Sequence, residues 1–117
     1  MSRHRQEIGK WGEGVATKYL EEHGYQLIAR NVRTPYGEID IIVEKEAIII
    51  FVEVKTRTTS SYGPPEISVT PRKQEHMLAA ADHYAQENEI DHWQIDVIAV
   101  EGKPGKQPDF THFENAI

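Results

Sequence analysis

The sequence predicts one α/β domain, a small mixed sheet with helices packed on it, in the order α-β-β-β-α-β. Three observations carry this. Residues 8–20 and 77–85 place apolar side chains at helical spacing. Short β-branched runs lie between and after them. The chain has 117 residues, which suits a single domain whose core folds without disulfides or a structural metal.

Ile8, Trp11, Val15, Tyr19 and Leu20 predict an amphipathic helix over about 6–22, stopped by Gly24. Gly9, Gly12 and Gly14 are poor helix formers and weaken its start. Their spacing, with no strand ahead of them, is not a dinucleotide fingerprint. Tyr25, Leu27 and Ala29 alternate and predict a strand over 25–32. Thr34-Pro35-Tyr36-Gly37 is a turn signal. Residues 38–43 form a second apolar, β-branched strand. Glu44-Lys45-Glu46 fits a tight hairpin turn into a third strand over 47–55. That strand is apolar almost throughout, so it belongs at the sheet centre, covered on both faces. Residues 58–68, with Tyr62, Gly63 and Pro64-Pro65, read as a loop long enough to suggest a function. Thr70 and Pro71 read as N-cap and first residue of a second helix. Met77, Leu78, Ala81, Tyr84 and Ala85 give it an apolar stripe, ending near Asn88. Residues 93–100 make a fourth strand. The tail carries Gly102, Pro104, Gly105 and Pro108, then a possible edge strand over 110–113. Trp11 and Trp93 are expected to anchor the core.

Composition narrows the function. The absence of Cys removes zinc ribbons, Cys-ligated clusters and thiol nucleophiles. The polar start leads into no apolar segment, and the longest apolar run, 47–52, is far short of a membrane span. A cytoplasmic protein is therefore expected. The net charge of −6 hides an asymmetry. Residues 1–73 hold 11 Lys/Arg against 10 Asp/Glu, whereas residues 74–117 hold 2 against 9. Nucleic-acid binding would need a local basic face, or a metal covering the acids.

The segment with chemistry is Gly37-Glu38-Ile39-Asp40-Ile41-Ile42-Val43 followed by Phe51-Val52-Glu53-Val54-Lys55-Thr56-Arg57. Strand side chains alternate, so Glu53 and Lys55 share one face while Val52 and Val54 take the other. Hairpin pairing brings Asp40 near Glu53. Two carboxylates and an ammonium at a sheet end suit a hard cation such as Mg²⁺ or Mn²⁺. The spacing alone is weak, because 14 Glu and 7 Lys give about one Glu-x-Lys triplet by chance. The second triplet, Glu101-Gly102-Lys103, sits in the polar tail and reads as solvated surface. A surface salt bridge is the competing account of Glu53 and Lys55. The apolar flanks and the upstream Asp40 argue against it. None of the six His residues falls in a zinc-ligand spacing. His76 and His83, seven apart, could share a helix face as a packed or solvated pair. Tyr62 reads either as an exposed loop residue or as a base-stacking one.

The same segment resembles the YraN-like family, grouped with Holliday-junction resolvases in the PD-(D/E)XK restriction-endonuclease-like superfamily. Gly9, Gly12-Glu13, Ala16, Tyr19-Leu20, Gly24-Tyr25, Asn31 and Arg33 extend the resemblance upstream. Lys73 and Ile95-Asp96-Val97 extend it downstream, so it covers about residues 7–100. Gln94 departs from the pattern, where the family usually has Arg. The resemblance implies a restriction-endonuclease-like fold with a divalent metal on Asp40, Glu53 and the Val54 carbonyl. It implies Lys55 as the residue that orients water or stabilises phosphate charge. It also maps a resolvase-type first-helix acid onto Glu13. On a helical wheel Glu13 flanks the apolar stripe, so both a cleft-edge acid and a solvated surface acid are open.

For the DNA-facing surface the candidates are Lys10, Arg30, Arg33, Arg57, Arg72 and Lys73. Arg72 and Lys73 fall in the first turn of the second helix, where acids are normally preferred. That suggests a bound anion or a neighbouring acid such as Glu66 or Glu75. The function the resemblance implies is metal-dependent hydrolysis of phosphodiesters in branched or structured DNA, with a homodimer expected by analogy with junction resolvases, which make paired cuts. The competing class is a nucleic-acid-binding or scaffolding module with the same fold and no turnover. A nucleotide or small-ligand binder is disfavoured, since no phosphate-cradling Gly-rich loop joins strand to helix.

Overall fold

The computed structural model describes residues 3–58 and 69–117. The predicted loop lies almost entirely outside them, with Tyr62, Gly63, Pro64-Pro65 and Glu66. The elements are α1 (Arg3–Glu22), β1 (Gln26–Thr34), β2 (Gly37–Lys45), β3 (Ile48–Arg57), α2 (Pro71–Glu87), β4 (Trp93–Glu101) and β5 (Asp109–Phe113). They form one five-stranded sheet in the order β1-β2-β3-β4-β5. All neighbours are antiparallel except β3 and β4, which run parallel. Parallel pairing needs a crossover, and α2 supplies it. This is the predicted α-β-β-β-α-β order with the edge strand added.

Each helix covers one face. Ala16 and Leu20 of α1 pack on Ile41, Val43, Ile50, Val52, Ile98 and Val100. Ala80 and Ala81 of α2 pack on Ile39, Ile42, Phe51 and Ile95. The centre of β3 is thus buried from both sides, which is why its sequence is almost continuously apolar. Trp11 packs against the first cluster and Trp93 against the second. The Trp93 ring meets Phe51 edge-on at 5.5 Å.

The helix ends follow the sequence signals. Thr70 Oγ1 accepts the Lys73 N–H, and Pro71 opens α2. At the end of α1, Tyr25 N–H donates to the Leu20 carbonyl and Gly24 N–H to that of Glu21. This Schellman closure needs a left-handed residue, and Gly24 takes φ +88°. Two boundaries differ from expectation. α1 begins at Arg3 and runs through all three glycines. Gly12 is there for proximity: a Cβ at that position would collide with the Thr56 side chain of β3. The β2–β3 turn is Glu46-Ala47, both with positive φ, flanked by the Lys45–Ile48 pair. It is a two-residue turn whose twist matches the strands. The register matters: the observed turn pairs Ile41 with Val52 and brings Asp40 level with Glu53, the neighbours the hairpin reading expects.

The C-terminus is pinned by a buried acid. Asp96 is fully buried and accepts from Gln94 Nε2 (2.9 Å) and the Asn115 N–H (2.9 Å), with His112 Nε2 at 2.7 Å. A buried carboxylate is tolerated only with such partners. Gln94, the departure from the family pattern, spends its amide here.

Candidate active site

The site forms where β2 and β3 stop pairing. Their ladder ends at Ile41–Val52. Beyond it, Asp40 Oδ2 accepts the Val54 N–H at 2.9 Å, replacing a backbone partner with a side chain. A strand residue presents its N–H and C=O to the same neighbour. The Val54 carbonyl therefore faces the same gap as the Asp40 carboxylate.

Asp40 reaches that gap because strand alternation breaks there. Ile41 and Val43 belong to the α1-side core, Ile42 to the α2-side core. Strict alternation would send Ile39 to the α1 side, yet it packs on the α2 side. On β1 the flanking pairs are Arg30–Ile41 and Val32–Ile39, and between them Asn31 has φ +53°. Asn tolerates the left-handed region better than most residues. This local inversion leaves Asp40 between the two faces rather than on one.

Acids converge on it from three elements. Glu53 points toward the α2 side, with a side chain 14% exposed, and lies 3.4 Å from Lys73 Nζ. Glu13 comes from α1, held close to β3 by the Gly12–Thr56 contact. With its amide turned so that the nitrogen faces the acids, the orientation that satisfies both of its polar atoms, Asn31 donates Nδ2 to Glu13 Oε1 at 2.8 Å and to Glu38 Oε1 at 3.2 Å. Burial pushes the Asp40 carboxyl up to about 7; the Glu53 and Glu13 charges add to this, and the Val54 N–H and Lys73 oppose it. The Glu13 carboxyl is also raised, by burial first, with Glu38 and Glu53 adding and Arg30 opposing. These carboxyls share a half-buried space with too little positive charge.

The donor set fits a hard divalent cation. Among the described residues no three His, Asp or Glu side chains form a ready cage. Mg²⁺ does not require one, since it keeps several waters and uses one or two carboxylates plus substrate phosphate oxygens. Asp40 and Glu53 are the carboxylates that could hold such an ion, and the Val54 carbonyl would offer a third hard oxygen.

The remaining predicted residues are dispersed. Lys55 lies two residues beyond Glu53 on the same strand face, with no side-chain hydrogen bond or ion pair to another described residue. Lys73, read from sequence as facing either a bound anion or an acid such as Glu66 or Glu75, lies 3.4 Å from Glu53, and Glu66 lies outside the described residues. Arg33 is 91% exposed and 3.9 Å from Glu38. Arg57 Nε bonds Glu101 Oε2 at 2.7 Å in a half-buried ion pair. Lys10 and Arg72 are exposed on α1 and in the first turn of α2. His76 and His83 do share a face, toward the β1–β2 turn. His76 lines a pocket beside Glu53, and the His83 ring lies 5.9 Å from that of Tyr36.

Asn31 and Glu38 are site residues that the spacing argument passed over. Glu38 stands inside the Gly-Glu-Ile-Asp segment, two positions before Asp40. Asn31 stood in the sequence only among the residues that carry the family resemblance, with no role attached.

Residues 12–100 match a family model described as "Uncharacterised protein family UPF0102". A UPF0102 protein of Syntrophotalea carbinolica is 42% identical over 119 residues, covering 100% of this chain and 96% of the relative. One of Geobacter metallireducens is 42% identical, covering 100% and 97%. One of Dehalococcoides mccartyi is 41% identical over 103 residues, covering 86% and 85%. A solved structure of Pyrococcus furiosus SfsA in complex with Ca²⁺ aligns with a TM-score of 0.43 at 16% identity. That alignment covers 94% of this chain and spans 63% of the other. The chain belongs to the UPF0102 (YraN) family, a member of the restriction-endonuclease-like superfamily.

Proposed function

We propose that this UPF0102 chain is a divalent-metal-dependent nuclease that hydrolyses phosphodiester bonds in branched or otherwise structured DNA. The observation that carries it is the Asp40–Glu53 carboxylate pair at the splayed end of β2 and β3, with Asp40 bonded to the Val54 N–H and raised to about 7. A fold does not place like charges in a half-buried gap for stability. Asp40, Glu53 and the Val54 carbonyl would hold Mg²⁺ or Mn²⁺. Bound there, the ion lowers the pKa of a coordinated water and offsets phosphate charge.

The chain's own residues supply the rest. Lys55 sets a positive charge beside Glu53, where negative charge grows on the phosphate. Lys73 Nζ lies 3.4 Å from Glu53 Oε1. With a cation held by Glu53, the Lys73 ammonium would be left for a backbone phosphate at the N-terminus of α2. Glu13, its carboxyl raised, stands ready to take a proton from water. Lys10, Arg33 and Arg72 extend the basic surface, and Arg57 contributes beside its Glu101 pair. The metal accounts for a DNA enzyme with net charge −6, since the acids are then ligands. Two symmetric cuts in a four-way junction imply a homodimer.

The test is cleavage of a labelled four-way junction, with duplex and single-strand controls, in Mg²⁺ and in Mn²⁺. Wild type should nick in a metal-dependent way, and Glu53→Ala and Lys55→Ala should lose that activity. Binding by all three proteins with no product from any substrate would instead identify a nucleic-acid-binding module without turnover.

A further inference from the structure

Beside the carboxylates lies an open pocket lined by residues of β2, β3, α2 and β4. Its floor is apolar and buried: Ile39, Phe51, Ala80 and Ile95, with Met77 on one wall. Its mouth is polar, lined by Glu53, Lys73 and His76, and Tyr36 stands there 51% exposed. Glu53 and Lys73 are the groups that would face the scissile phosphate. The pocket therefore begins where that phosphate would sit and runs back under α2.

We propose that this pocket receives one unstacked nucleobase of the substrate, from the nucleotide whose phosphate lies at Glu53. The proposal rests on the nuclease function above and narrows its substrate. An apolar slot with a few convergent polar groups is the usual form of a small planar ligand's site. An aromatic floor residue and an exposed tyrosine suit a base, whose faces are apolar and whose edge forms hydrogen bonds. The edge finds acceptors on Glu53 and donors on Lys73 and His76. A free small molecule of the same shape would not explain why the pocket shares two side chains with the carboxylate site. The preferred substrate then carries an unpaired nucleotide at the cut, as in an open junction, a flap or a single strand, because extruding a paired base costs stacking and pairing.

The experiment uses oligonucleotides with 2-aminopurine at successive positions beside a flap, and Ca²⁺ as the cation, so that binding is read without turnover. Wild type should change the fluorescence strongly at one position, and an abasic residue there should weaken binding roughly tenfold. Ala80→Leu fills the floor and should abolish that signal while uninterrupted duplex binds as before. Met77→Phe narrows the wall and provides a second variant if Ala80→Leu unfolds. Binding without a position-specific signal, or a signal unchanged in a folded pocket variant, overturns the pocket and leaves the nuclease function standing. A position-specific signal without cleavage in Mg²⁺ supports the pocket and removes the nuclease function. No binding of any nucleic acid overturns both.

Discussion

Replacing Asp40 by Asn should make the metal-free protein more stable at pH 8 and leave it unchanged at pH 5. The Asp40 carboxyl titrates at about 7 in the folded chain against an ordinary 3.8. Between those values the unfolded chain releases its proton first, so the folded state holds more protons and stability falls as pH rises. The penalty is fully present above about pH 7 and absent below about pH 4. At ~1.4 kcal/mol per pH unit, the span from 3.8 to about 7 is worth ~4 kcal/mol. Asn keeps an acceptor for the Val54 N–H but needs partners for its own NH₂, which leaves a gain of about 2 kcal/mol. For a domain of this size that is roughly 8 °C in Tm. Thermal unfolding in EDTA at both pH values measures it. An Asp40→Asn protein that melts lower at pH 8 would refute the reasoning, because the charge would then be part of what holds the fold together.

Three further outcomes follow from the same geometry. Asn31→Gly keeps the left-handed backbone and deletes the amide that joins Glu13 to Glu38. Its Tm should stay within a few degrees of wild type while Mn²⁺ affinity drops about tenfold, as for other residues that hold ligands in place. Gly12→Ala forces α1 away from Thr56 and should cost about 2 kcal/mol in urea unfolding. Lys73→Ala removes a half-exposed ion pair worth at most ~1 kcal/mol. Its stability should barely change, while the salt dependence of DNA binding weakens by about one phosphate contact.

Much of this was legible in the residues. Thr70-Pro71 and Gly24 announced a helix start and a helix end because caps are local chemistry. Asp40, Glu53 and Lys55 stood out because charges in β-branched runs need a reason. The expected turn over 44–46 was misplaced because Glu46 and Ala47 carry no turn preference, and only strand twist selects them. The inversion at Asn31 was invisible because alternation is assumed within a strand, and an Asn that tolerates positive φ does not by itself announce a break. α1 starts earlier than expected, at Arg3, because the polar Arg3-His4-Arg5 turn carries no apolar stripe to mark it, while Gly12 is explained by its close approach to Thr56. Lys73 looked like a helix-terminal anion site or a partner of nearby acids. Its partner Glu53 comes from β3, and local sequence does not connect them.

In the proposed nuclease, Asp40 and Glu53 share a divalent cation. Titrating Mn²⁺ into the apo protein at pH 8, with the free ion followed by electron paramagnetic resonance, tests it directly. Wild type should bind Mn²⁺ saturably, Mg²⁺ should displace it, and Asp40→Asn and Glu53→Gln should each lose that binding while remaining folded. Equal binding by all three proteins, or none by wild type, would contradict it.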